Sequence, residues 1–280
     1  HVMGQSYTYG VFIGQQQETD RDIVFATMQT MVKHLNDGTF APTEFDVIVI
    51  DEVHRAGAAS YDRIMQHFKP KLWFGMTATP ERPDGFDVYG LFGHNILTEI
   101  RLQQALANDL LCPFHYFGIF GLSVNDKDYE AKDFSKLASD DRVEHILKQS
   151  AYYGYSGVRL KALVFCSSNE EARLLSEKFN SRGLRTVHLS GSDSQSTREE
   201  ACRRLALDRG DEALDYIFSV DIFNEGIDIP EVNQVILLRP TQSPIVFVQQ
   251  IGRGLRKHES KEYVVILDFI GEYNNNFLIP

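Results

Sequence analysis

The sequence predicts an α/β protein of two domains, each built on a parallel β-sheet with helices on both faces. Three observations predict it. Short apolar runs rich in β-branched and aromatic residues alternate with amphipathic stretches, which is the pattern of βαβ units. The chain has 280 residues, room for two ordinary domains. One early run, Phe-Asp-Val-Ile-Val-Ile at 45–50, ends directly in two carboxylates, Asp51 and Glu52. Acids at the end of a buried strand lie at the ligand-binding edge of an open α/β sheet.

In chain order, strands are predicted at 22–26, 45–50 and 71–76, with helices after Thr27 and at 60–68. Residues 80–93, rich in Pro, Gly and Asp, read as loop. A helix near 102–108 closes a first domain at residues 1–109. A second, 110–280, opens with a strand at 112–121. A polar stretch at 126–141 leads into a helix at 142–149. Tyr152, Tyr153 and Tyr155 could stack on bases, but around Gly154 they read as an ordinary turn packed on the core. A strand at 161–166 precedes a helix with Ser168 as N-cap, Glu170 and Glu171 in its first turn, and Gly183 at C′. Strands at 185–189, 216–220, 234–238 and 263–268 complete a parallel set, with a helix at 197–207. Ser243 as N-cap and Pro244 at the first helical position begin another helix.

Hydrophobic residues make up 43% of the chain, which fits globular cores. The longest apolar runs are strand-sized, so no transmembrane helix is expected. Cys112, Cys166 and Cys202 are scattered and odd in number, with neither metal-ligand spacing nor a disulfide framework, which points to a reducing, cytoplasmic setting. The net charge of −11 argues against broad attraction to nucleic acid. A local strip escapes that objection, because grips made of backbone N–H groups, hydroxyls and helix N-termini add no formal charge.

The carboxylate pair suits a magnesium ion and an attacking water: one group holds the hydrated metal and the other orients or deprotonates the water. Two further segments join it. Gly-Met-Thr-Ala-Thr-Pro at 75–80 ends the next strand, and Gln-Gln-Ile-Gly-Arg-Gly-Leu-Arg at 249–256 lies far downstream. With Asp51-Glu52-Val53-His54 these resemble motifs II, III and VI of the superfamily-2 helicases and translocases, the DEAD/DEAH-box relatives, in the right order over nearly the whole chain. The forms Asp-Glu-Val-His and Gly-Arg-Gly-Leu-Arg resemble the motor subunits of restriction enzymes. One expected part is absent: no Gly-Lys dipeptide occurs, so there is no P-loop, and only about fifty residues precede Asp51. The expectation is a first domain cut after its phosphate-binding loop, with further fused domains or subunits in the parent.

The resemblance implies two RecA-like domains, the first incomplete, with ATP and Mg²⁺ as cofactors. Asp51 would hold the metal through water and Glu52 would activate the attacking water. His54, Thr77 and Thr79 would couple nucleotide state to the grip on nucleic acid. The segment at 219–230 resembles motif V, in which Gly226 permits a turn and Asp228 reaches the ribose. Val220 departs from it, standing where many relatives place a phosphate-binding threonine. Gln249, Arg253 and Arg256 fall at i, i+4 and i+7, on one helix face. The guanidiniums of Arg253 and Arg256 would meet the transferring phosphoryl group bidentately, an effect worth roughly three to five powers of ten in well-studied NTPases. Thr27 and Gln29, in a segment resembling motif Ib, and Ser167 and Ser190 are the candidates for nucleic-acid contact.

The reading is an ATP-dependent helicase or translocase motor on nucleic acid, DNA rather than RNA, inactive in this fragment alone. The rival is a non-catalytic docking or regulatory module that keeps a RecA-like scaffold. Absence of the P-loop favours the rival for the chain as it stands. Retention of the acidic box and both arginines of motif VI disfavours it for the parent.

Overall fold

The computed structural model describes residues 7–55, 59–77, 80, 84–120, 139–220, 229–239, 252 and 254–270. The chain divides into two compact units, His1–Glu99 and Ile100–Pro280. The division falls ahead of the expected boundary after 109. A helix at Leu102–Ala107 belongs to the second unit, because Leu102 packs on that unit's core beside Leu111. The Cys112 N–H also donates to the Leu255 carbonyl at 2.7 Å.

In the first unit, β1 (Tyr9–Ile13) pairs antiparallel with β2 (Gln16–Gln17) and parallel with β3 (Ile23–Ala26). A separate parallel pair joins β4 (Val47–Ile50) to β5 (Leu72–Gly75), in register Ile50↔Gly75. The sequence pattern placed β3 in one sheet with β4 and β5. Among the described residues it instead joins β1, whose run Tyr-Gly-Val-Phe-Ile is broken by Gly10 and gives no strand signal. Gly10 is there for space, since a Cβ would sit 2.7 Å from the Glu18 carbonyl oxygen.

The helices α1 (Met28–Lys33) and α2 (Ala59–His67) supply Met28, Met31 and Ile64 to one apolar cluster with Phe12, Phe40, Phe68, Ile48 and Trp73. On the opposite face of β4 and β5, Val47, Val49 and Leu72 remain exposed. Thus, among the described residues, helical cover in this unit lies on one face.

The second unit is a six-stranded parallel sheet. Its strands are β6 (Phe114–Phe120), β7 (Ala162–Phe165), β8 (Thr186–His188), β9 (Tyr216–Ser219), β10 (Gln234–Leu237) and β11 (Val264–Ile270), in the order β6-β11-β10-β7-β9-β8. The period of two along each strand splits the apolar side chains between two cores. Leu163, Phe165, Ile217, Val235 and Ile266 meet Ala201 and Leu205 on one side. Val164, Phe218, Ile236 and Leu267 meet Val143, Ile146, Leu175 and Phe179 on the other. The covering helices, numbered on from α3 at Leu102–Ala107, are α4 (Asp140–Tyr153), α5 (Asn169–Asn180) and α6 (Gln195–Ala206).

Each of these three helices starts at a serine. Ser139, Ser168 and Ser194 accept from the N–H three residues on. Gly154 closes α4 at φ +67, and Tyr153 stacks on Phe117 with centroids 4.1 Å apart, so the tyrosine segment is a helix end. α5 has its C-cap at Ser181, so Gly183, at φ +81, stands one position beyond the expected C′. No helix among the described residues is long and apolar enough to cross a membrane.

At the amino end of β7, Arg159 ties the sheet to the last turn of α6. Its guanidinium donates to the carbonyls of Leu205, Leu207, Leu214 and Leu160 and to Asp215. Lys161 donates to the Ala206 carbonyl at 2.7 Å and to Asp208 at 2.6 Å. Carbonyls in the last turn of a helix lack intrahelical partners, and these two side chains supply them. Arg159→Met should strand several buried acceptors and leave Asp215 short of a cation, at a cost of about 2–4 kcal/mol in the second unit. The only tryptophan, Trp73, lies in the first unit. In urea titrations the substitution should therefore shift the circular-dichroism transition to lower urea and leave the Trp73 fluorescence transition in place. Coincident shifts of both probes, or no shift, would contradict it.

Candidate functional site

Backbone pairing closes the loop after β4 onto the end of β5. The Met76 N–H donates to the Ile50 carbonyl and the Val53 N–H to the Met76 carbonyl, both at 2.9 Å. Val53 is buried in a small apolar cluster with Ile50, Tyr61 and Val88 and anchors a short 3-10 turn, Val53–Arg55. Close approach makes Gly75 necessary, because a Cβ there would lie 2.5 Å from the ring of Phe92 and 3.1 Å from Val53.

This closure brings together Asp51, Glu52, His54 and Thr77. Asp51 is exposed, and its Oδ1 accepts the Glu52 N–H at 2.9 Å. Glu52 has φ +50, in the left-handed region. His54 Nδ1 lies 3.0 Å from Thr77 Oγ1 and 3.2 Å from Glu52 Oε2. The contact with Thr77 is aligned as a hydrogen bond. The contact with Glu52 is close but unaligned, leaving Oε2 buried without a hydrogen-bond donor. Thr77 is thus the hydrogen-bond partner of Nδ1, and Glu52 lies close beside the ring. Thr79 lies outside the described residues.

Thr27 is the N-cap of α1. Its hydroxyl accepts from the Thr30 N–H and lies 2.9 Å from the Thr30 hydroxyl, while Gln29 is exposed. In the second unit, Ser167 follows β7 and Ser190 follows β8, both at the carboxyl edge of the sheet. Their donors are engaged internally. The Ser167 N–H and hydroxyl donate to Glu171 Oε2 at 2.7 and 2.6 Å. The Ser190 N–H and hydroxyl donate to Asp193 Oδ2 at 2.6 and 3.1 Å.

Gly226, Asp228, Gln249 and Arg253 lie outside the described residues. Arg256 is exposed, directly after the buried Leu255. That segment is held by Lys261, whose buried ammonium donates to the carbonyls of Gly254 and Val232 at 2.6 and 2.7 Å. A Cβ on Gly254 would meet Val235 and Val264 at 3.2 Å, so this glycine lets the segment lie close to the sheet.

Sequence reasoning missed several polar groups at the same edge. Arg142 Nη1 donates to the fully buried Glu171 at 2.6 Å. Arg198 donates to the carbonyls of Ser190 and Gly191 and so braces the loop before α6. Asp268 sits near the carboxyl end of β11, level with Leu237, and receives the Tyr116 hydroxyl at 2.5 Å. Its signal was available: one acid inside the apolar run Val-Val-Ile-Leu-Asp-Phe-Ile. Burial pushes the Asp268 carboxyl above its ordinary value, against the opposing pull of the Tyr116 bond. Burial, then Asp268 itself, pushes the Tyr116 phenol well up.

Two family models match in succession along the chain. "Type III restriction enzyme, res subunit" matches residues 3–82, and "Helicase conserved C-terminal domain" matches residues 144–258. The putative ATP-dependent helicase IRC3 of Saccharomyces cerevisiae is 26% identical over 265 residues, which are 90% of this chain and 37% of that protein. The fragment structure of a putative HsdR subunit of a type I restriction enzyme from Vibrio vulnificus YJ016 superposes with a TM-score of 0.75 at 25% identity, covering 96% of this chain and 51% of that one. The ATP-dependent type ISP restriction-modification enzyme LlaBIII bound to DNA superposes with a TM-score of 0.66 at 20% identity, over 95% of this chain and 23% of that one, and shows the shared fold. The chain spans between about two-fifths and a half of the length of the curated relatives it matches.

Asp268→Asn offers a signed test of the buried acid. The asparagine keeps an acceptor for Tyr116 and removes the ionisation. Because burial raises the folded-state pKa above the unfolded value, the acid's contribution is fully present below the ordinary 3.8 and is lost as pH rises through the raised value. The asparagine form should therefore melt a few degrees higher near pH 8, and the gain should shrink toward about pH 4. Equal melting temperatures near pH 8 would count against it.

Proposed function

Since the chain belongs to the superfamily-2 helicases and translocases related to restriction-enzyme Res subunits, we propose that it forms part of an ATP-dependent motor acting on nucleic acid. The observation that carries this reading is the linked loop pair, with Asp51 and Glu52 at the end of β4 joined through His54 to Thr77 at the end of β5.

The donor set fits a hydrated Mg²⁺. Asp51 is exposed and spends one oxygen on the Glu52 N–H, leaving the other to accept from water on the ion. Bound there, the ion would neutralise charge on the nucleotide phosphates. Glu52 orients and deprotonates the attacking water. His54, hydrogen-bonded to Thr77, carries a displacement of Glu52 to Thr77, and Thr79 shares that coupling role. Arg253 and Arg256 stabilise charge on the transferring phosphoryl group, and Gln249, Gly226 and Asp228 serve the nucleotide, Asp228 at the ribose.

DNA is the nucleic acid we assign, since the HsdR relative at 25% identity is a restriction-enzyme subunit. Thr27 and Gln29 would meet its backbone in the first unit. The three cysteines are free, which supports a reducing compartment, the cytoplasm.

These 280 residues contain no phosphate-cradling Gly-Lys loop. Purified chain with Mg²⁺-ATP and DNA should therefore release phosphate only at background. DNA-stimulated turnover that disappears in Glu52→Gln would overturn the claim that the chain alone is inactive. In a longer chain supplying such a loop, Arg256→Ala should lower kcat by about 10³-fold with a smaller effect on ATP affinity, because its target charge develops in the transition state. Loss of ATP binding with kcat preserved would refute that role. A longer chain with no DNA-stimulated hydrolysis at all would favour the docking-module reading, which the missing Gly-Lys loop makes a real alternative.

A further inference from the structure

At the carboxyl end of β7 three donors converge on one side chain. The Ser167 N–H, the Ser167 hydroxyl and the Arg142 guanidinium all point at the Glu171 carboxylate, at 2.7, 2.6 and 2.6 Å. A backbone amide, a hydroxyl and an arginine are the groups proteins use to bind a phosphate oxygen. Here an internal anion takes all three. Glu171 is fully buried, in the first turn of α5, where the helix N-terminus adds its own attraction for negative charge. Ser168, the N-cap, fixes the turn by accepting the Glu171 N–H at 3.1 Å.

The Cys166 N–H, immediately before Ser167, donates to the Ser219 carbonyl on β9, so the strand end itself is pinned. Ser190 shows the same closure on a half-exposed acid, Asp193, at the end of β8. An exposed carboxylate competes with water and exchanges partners readily. A fully buried one does so only at the cost of leaving donors unpaired.

We propose that Glu171 is a positioning residue that occupies the phosphate-type donors of Ser167, so that Ser167 takes no nucleic-acid phosphate until this carboxylate is neutralised or displaced. The inference rests on the nucleic-acid reading for its consequence, though the closure itself does not. It also explains how an acidic chain can carry a serine at this edge without using it: the negative charge accepts the serine's own hydrogen bonds and is not merely near them. Asparagine or glutamine at 171 would keep the shape of an acceptor and lose the charge that holds Ser167 and Arg142 together.

The test is a double-mutant cycle on the whole chain with labelled single-stranded DNA at one fixed salt concentration, read by anisotropy. Ser167→Ala should cost far less affinity in the unchanged chain than in the Glu171→Gln background. Glu171→Gln should tighten binding by about three- to tenfold, the scale of one ordinary net hydrogen bond. The gain should disappear in Ser167→Ala/Glu171→Gln. Tenfold weaker binding in Ser167→Ala alone would mean that the serine already contacts phosphate and would overturn the proposal. A gain of equal size in both serine and alanine backgrounds would also overturn it, since it would be long-range charge alone.

Amide hydrogen exchange at Ser167 supplies a readout that needs no DNA. The amide should be protected in the unchanged chain and exchange at least about tenfold faster in Glu171→Gln. If no variant binds DNA, the nucleic-acid reading falls, and unchanged exchange at Ser167 would bring down the closure as well. Should Glu171→Gln fail to melt cooperatively, Arg142→Met/Glu171→Gln, which removes both charges of the pair, replaces it in every arm.

Discussion

The in-register parallel pairing of β4 with β5 is the constraint on which the candidate site depends. Parallel strands finish at the same edge, so the loops that follow them must share space. With Ile50 opposite Gly75, the two backbone bonds through Met76 close the loops on each other and bring His54 Nδ1 to 3.0 Å from Thr77 Oγ1. A slip of one residue would turn Ile50 outward and move Thr77 away from the histidine. The second sheet obeys the same rule, and for that reason Ser167, Ser190 and Asp268, far apart in the chain, all come to the carboxyl edge of their strands.

Much of this was legible in the sequence, and the failures share a cause. Apolar runs located the strands of the second unit, because a sheet covered on both faces needs continuous apolar strands. The strand Tyr9–Ile13 escaped, since its glycine serves a close approach that no periodicity reports. Ser167 and Ser190 were found at strand ends as expected, but residue types at an edge do not say where a donor points. Glu171 was read as a first-turn acid answering the helix dipole. It is that, and it is also the buried acceptor of its neighbour's hydroxyl. Spacing identified the residues, and only three-dimensional closure identified their partners. Roles assigned to Gly226, Asp228, Gln249 and Arg253 rest on pattern alone.

Net charge is a poor guide to this surface because so many arginines are committed internally. Arg159 and Arg185 converge on Asp215, and Arg142 on Glu171. Arg182 and Lys178 join α4 to α5 through Asp140 and Glu144. The exposed pairs on helix surfaces, such as Arg173 with Glu170 and Glu177, contribute little to stability. The buried ones matter mainly through what their loss would leave uncompensated.

Glu52 illustrates a different kind of commitment. Its φ of +50 belongs to a region that glycine enters freely and that asparagine and aspartate tolerate, while glutamate resists it. The backbone therefore favours small or short polar residues at this position, and the proposed proton abstraction requires a carboxylate. Aspartate comes nearest to both, but its carboxylate reaches one methylene less far. A glycine here would leave the loop easier to form by about 1 kcal/mol and chemically inert. If Glu52 has the proposed role, drift toward an easier backbone at position 52 leads through glycine to loss of the carboxylate, and selection on chemistry opposes it.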